Sequence, residues 1–151
     1  MRGWTLRTGL LAAIIALLTV AGCAPTGPHE PEPTIGQPLL RDTSWFLEAL
    51  GASGNLHPAL TTTEVTLSFT GESQVAGDAG CNSYFGQYSS DENGTLAIGG
   101  LGSTKMFCNE PGVMQQEQDL LNALAAAERY SVEDGLLHIS GGGMELVFTR
   151  A

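Results

Sequence analysis

The segment from Gly80 to Cys108 constrains this chain more than any other, because it holds both cysteines of the globular part. It opens with Gly80-Cys81-Asn82 and closes with Thr104-Lys105-Met106-Phe107-Cys108. In an exported chain a lone pair of cysteines reads most simply as one disulfide. Such a bond closes a loop of roughly 27 residues, worth about 3 to 4 kcal/mol in the chain-entropy account. Two other readings compete. Cys81 follows a tight glycine turn and could present a nucleophile, but a nucleophile needs a base within reach. The histidines are His29 in a linker, His57 in a loop and His138 between Leu137 and Ile139, where it faces solvent. Zinc held by Cys81, Cys108 and His138 lacks a short ligand pair. The residues therefore point to no catalytic group, no metal and no cofactor.

Export is written at the start of the chain. Arg2 and Arg7 precede an apolar run from Leu10 to Val20, which ends in small residues and Cys23. That order is a secretory signal over residues 1–22, and the run falls well short of the ~20 residues of a membrane span. An uncleaved anchor is the bland alternative. Val20-Ala21-Gly22-Cys23 resembles the lipobox of bacterial lipoproteins, which implies cleavage before Cys23 and lipid on its sulfur and amino group. Several acyl chains, at ~0.8 kcal/mol per buried CH₂, make a durable anchor. Residues 23–40 then form a spacer with prolines at 25, 28, 31, 33 and 38. About fifteen such residues, at about 3.1 Å each, carry a domain over 41–151 up to roughly 45 Å from the lipid. Cleavage also removes Arg2 and Arg7, leaving Arg41, Lys105, Arg129 and Arg150 against 16 acidic residues. A surface so acidic repels nucleic-acid phosphates and anionic headgroups, so the expected partners are the membrane through the lipid, and a protein or envelope component.

The domain reads as short strands joined by turns. Glu64 to Phe69 alternates strictly and puts Val65, Leu67 and Phe69 on one face. Further strands are expected over Ser44–Leu50, Ser73–Ala79, Tyr84–Tyr88, Thr95–Ile98, Ser103–Phe107, Tyr130–Val132, Leu136–Ile139 and Met144–Thr149. Turns fall at Gly71, Asn93-Gly94, Asp134-Gly135 and Gly141–Gly143, with Asn93-Gly94 read as a tight hairpin turn needing positive φ at both positions. A calcium loop at Asp91-Glu92-Asn93 lacks the EF-hand spacing. From Pro111 to about Glu128 the period changes. Val113, Leu120 and Leu124, with Met114 and Leu121, make an apolar stripe, with Asn109 or Glu110 as cap and Pro111 in the first turn. Glu117 sits on that stripe, where an unpartnered charge costs several kcal/mol, so it either reaches water or has a partner among the glycine-turn N–H groups or Lys105. The expectation is a mainly β (α+β) domain with one helix, its antiparallel sheet strongly curved or barrel-like.

Gly80-Cys81-Asn82 with Gly86 and Tyr88, then Thr104-Lys105-Met106-Phe107-Cys108, then Met114-Gln115-Gln116-Glu117 and Leu120 to Leu124, resemble the META domain of HslJ-like bacterial lipoproteins. The resemblance spans Trp45 to Arg150 and adds Gly80, Asn82, Thr104, Met106 and Glu117 as structural motif positions. It implies a small strand-rich fold with a helix, no established catalysis, and links to stress response and antibiotic tolerance at the envelope. Three functions follow as expectations. The first is a membrane-anchored, extracytoplasmic lipoprotein that binds a protein or envelope component. A small barrel holding an apolar ligand and a thiol-dependent hydrolase are the others.

Overall fold

Alternating side chains need one buried face, and Val65, Leu67 and Phe69 find it on the concave side of a single curled sheet. The structure, a computed structural model, describes Gly36 and residues 38–151. The segment expected to be a secretory signal and Cys23 lie outside the described residues, as does nearly all of the expected spacer. Nine strands form the sheet: β1 (Thr43–Ala52), β2 (Asn55–Pro58), β3 (Thr66–Thr70), β4 (Gln74–Asp78), β5 (Ser83–Ser90), β6 (Leu96–Ser103), β7 (Arg129–Glu133), β8 (Leu136–Gly141) and β9 (Met144–Arg150). Between β6 and β7 comes the helix α1 (Val113–Ala125). The order β6-β5-β4-β3-β1-β9-β8-β7, antiparallel throughout, curls into a half-barrel, with β2 paired to the end of β1.

Its two edge strands meet at one end only. Thr95 bridges Arg129, the Leu96 N–H donates to the Glu128 carbonyl (3.0 Å) and the Tyr130 N–H to the Gly94 carbonyl (2.8 Å). Helix α1 packs on β6, β9, β1 and β8 and buries Val113, Leu120 and Leu124. Trp45, Phe69, Tyr84 and Phe148 fill the concave side, so side chains occupy the interior that an apolar ligand would need. Burial pushes the Tyr84 phenol far above its ordinary range, helped by the Asp78 charge, and its hydroxyl donates to the Thr66 carbonyl (2.8 Å). Among the described residues no helix is long and apolar enough to cross a membrane.

Several expectations need correction. Leu40, assigned to the spacer, is a core residue, and Tyr130 Oη holds the Pro38 carbonyl at 3.1 Å, so the chain joins the fold before residue 41. His57 lies on strand β2, not in a loop; every residue of β2 is exposed, which leaves no apolar alternation to read. The strand expected to end at Ile98 runs on through Gly99, Gly100 and Gly102 to Ser103. Phe85 pairs with Gly102 and Gln87 with Gly99, so Gly86 faces two residues across a bulge, and Gly100 takes the positive φ (63°) that the bulge requires. Residues 104–109 are not a strand. Nor does α1 begin at Pro111: Gly112, at φ 85°, sets its start without a side-chain cap. The Asn93-Gly94 turn has positive φ at Gly94 alone and is organised by Asp91, whose Oδ1 accepts N–H groups from Asn93 and Thr95 (2.9 Å each). The Asp134-Gly135 turn does carry positive φ at both positions.

Candidate functional site

Everything distinctive in the chain converges where β4 turns into β5 beneath the start of α1. Gly80 takes φ 106°, which a side chain rarely adopts, and a Cβ there would stand 2.9 Å from Thr63 Oγ1. The turn carries Cys81 and Asn82 inward. Cys81 is bonded to Cys108 with Cα atoms 6.0 Å apart, an ordinary separation for a disulfide. Neither sulfur is left as a thiolate for a nucleophile or a zinc ion. His138 is instead half-buried on β8, its Nδ1 3.2 Å from Glu145 Oε1. Among the described residues no group of three or more His, Cys, Asp or Glu side chains could hold a metal.

Asn82 is 1% exposed and ties three elements together. Its backbone N–H donates to Glu117 Oε2 (2.9 Å) and its Nδ2 to Glu117 Oε1 (2.8 Å) and the Met106 carbonyl (3.1 Å). Its Oδ1 accepts from Thr104 Oγ1 and from the Met106 N–H, both at 2.7 Å. Glu117, 6% exposed, thus has both carboxylate oxygens satisfied by one residue of the glycine turn. No ion pair joins it to Lys105 among the described residues. A carboxylate on the apolar face of α1 is tolerated because charge-assisted hydrogen bonds replace its water.

The outcome of this bracing lies at the surface. Thr104 is fixed by its side chain and by its N–H on the Ser83 carbonyl (3.1 Å), Met106 by both main-chain groups, and Cys108 by the disulfide. Between these fixed points the side chains of Met106 (59% exposed) and Phe107 (77% exposed) stand in solvent beside exposed Lys105. Beside them runs a groove of about 530 Å³ walled by Met114, Gln118, Leu121 and Asn122 of α1. Sequence reading missed this display, since Thr104 to Phe107 shows no periodicity from which exposure follows. Phe85, also exposed, differs: its ring covers Gly102 of the neighbouring strand, where a Cβ would stand 3.0 Å from it, so it serves the sheet.

The chain is thus a strand-rich domain of the curled half-barrel kind with one helix, its Gly-Cys-Asn turn bonded to a second cysteine and to a helical glutamate. The family model of the META domain matches residues 38–151, and the chain belongs to that family. It is similar to the NMR structure of a protein from Burkholderia xenovorans, with 29% identity over 82% of this chain and 98% of that one, TM-score 0.64. A second NMR structure shares 20% identity over 71% of this chain and 87% of its own (TM-score 0.57). A DUF4847 family protein from Bacteroides vulgatus shares 13% over 72% and 92% (TM-score 0.51). Those two likenesses bear on the fold alone. No curated protein matches the chain.

Proposed function

We propose that the chain is a lipoprotein of the cell envelope, anchored through Cys23 and facing the extracytoplasmic side, whose META domain binds a protein or envelope component without catalysing a reaction. A part in stress response at the envelope belongs to the same proposal. The observation that carries the binding reading is the exposure of Met106 and Phe107 on a loop braced at Thr104, Met106 and Cys108. Large apolar side chains held out of the core cost hydration free energy, and bracing the backbone that carries them lowers the ordering cost of an encounter. Commitment of both cysteines to one bond speaks against the thiol-hydrolase alternative.

The test is photo-crosslinking in living cells from a photoreactive residue at position 107 of the full chain, with position 133 on β7 as comparison. A discrete adduct from position 107, absent from position 133, is expected. Equal labelling from both positions would remove the loop from the interface. In the same cells Cys23→Ser should abolish incorporation of a fatty-acid analogue and free the protein from membranes; unchanged incorporation would refute the anchor.

A further inference from the structure

The cations of the described chain are engaged, with one exception. Arg41 pairs with Glu72 (3.2 Å), Arg129 donates to the Asn93 carbonyl (2.9 Å) and Arg150 lies over the Trp45 ring (5.4 Å). Lys105 makes no hydrogen bond or ion pair among the described residues, although the chain carries a formal charge of −10. It stands at the rim of the groove between the 104–108 loop and α1.

We infer that this groove receives an amphipathic segment of a partner protein, with large apolar side chains seated against Met106, Phe107, Met114 and Leu121 and an acidic side chain opposite Lys105. The inference rests on the loop being a contact element and adds the chemistry of what it contacts. About 530 Å³ is room for a few large side chains. Two of the lining residues are methionines, whose unbranched side chains adapt to irregular apolar shapes. An amphipathic element laid into an apolar groove is an established mode of peptide recognition. Charge then sets the register: an acidic residue is repelled by most of this surface and attracted at Lys105, the one unengaged cation among the described residues.

Shape and position favour a protein segment over a lipid surface. The groove is concave and accepts something protruding. It lies past Ser103, at one end of β6, whereas the chain enters at the other end, where Tyr130 Oη holds the carbonyls of Pro38 (3.1 Å) and Asp91 (2.9 Å). The eight residues of β6 separate the loop from that entry point. A single lysine in so acidic a domain is a weak draw for anionic headgroups.

A display library of short random peptides, selected on the full-length chain in detergent micelles, tests this. Enriched sequences should place Asp or Glu at a fixed spacing from large apolar residues. A synthetic representative should bind Lys105→Glu and Phe107→Ala about tenfold or more weakly, with melting temperatures unchanged because both side chains are exposed. The same library on Lys105→Glu should place Lys or Arg at the formerly acidic position. Enrichment without charge bias, or equal binding to Lys105→Glu, would overturn the inference, and crosslinking from position 107 would still report whether the loop is a contact. Phe107-dependent binding of the Cys23→Ser chain to phosphatidylglycerol vesicles would make the occupant a lipid surface and overturn it likewise.

Discussion

An asparagine amide offers two donors and two acceptor positions, and Asn82 uses all of them at a place almost closed to solvent. Its neighbour in the network, Glu117, was legible in part. Its position on the apolar stripe of α1 leaves two outcomes, water at the rim or a partner, with the glycine turn among the candidates; that a single residue supplies both bonds is not legible, because Asn82 and Glu117 are 35 positions apart and no local pattern joins them. Glu117→Gln should cost about 1 to 3 kcal/mol, since an amide can accept only one of the two N–H groups and presents its own N–H to the other. Urea denaturation measures this; a midpoint equal to wild type would mean the bonds contribute nothing net. Asn82→Asp should cost more than Asn82→Ala. It replaces a donor with a carboxylate facing Glu117 and the Met106 carbonyl, while alanine only removes bonds. Comparison of the two midpoints at neutral pH decides, and the reverse order would contradict this account of the network.

At the level of elements, local signals succeeded where one physical cause dominated. Strand β3 was legible because Leu67 and Phe69, like Val65 just before them, face the core, and the Asp134-Gly135 hairpin because its turn type demands those residues. Where causes competed, reading failed. The strand expected to stop at Ile98 runs on through glycines that build a bulge, and an exposed β2 carries no period. In the β5–β6 turn, Asp91 does what Asn93-Gly94 was expected to do. The N–H of Thr95, and then that of Asn93, hold its carboxyl below the ordinary carboxylate range. A folded-state value below the unfolded one means the ionised form stabilises the fold. That contribution is fully present above the unfolded value, about 3.8, and is lost as pH falls through the lowered folded value. Asp91→Asn should therefore be less sensitive to acid than wild type below about pH 4, judged by melting temperature against pH. Parallel curves would show that the turn does not hold its aspartate ionised.

For the whole molecule, topology and staple act together. The half-barrel closes at one end through Thr95 and Arg129, while the disulfide and the Asn82 network secure the end where α1 begins. Replacing both Cys81 and Cys108 with Ala should cost about 3 to 4 kcal/mol of a total near 5 to 15, leaving a folded but weakened domain. Equilibrium unfolding of the double variant measures this, and a loss below about 1 kcal/mol would mean that the bond is idle in the unfolded chain. The same bracing holds the backbone of Lys105, Met106 and Phe107 fixed while their side chains stand in solvent. Backbone ¹⁵N relaxation of residues 105–107 reads that rigidity residue by residue. Order parameters near 0.85, like those of a rigid sheet, are predicted for the native chain, falling below about 0.6 in Asn82→Ala; values already below about 0.6 in the native chain would contradict a braced, preorganised loop.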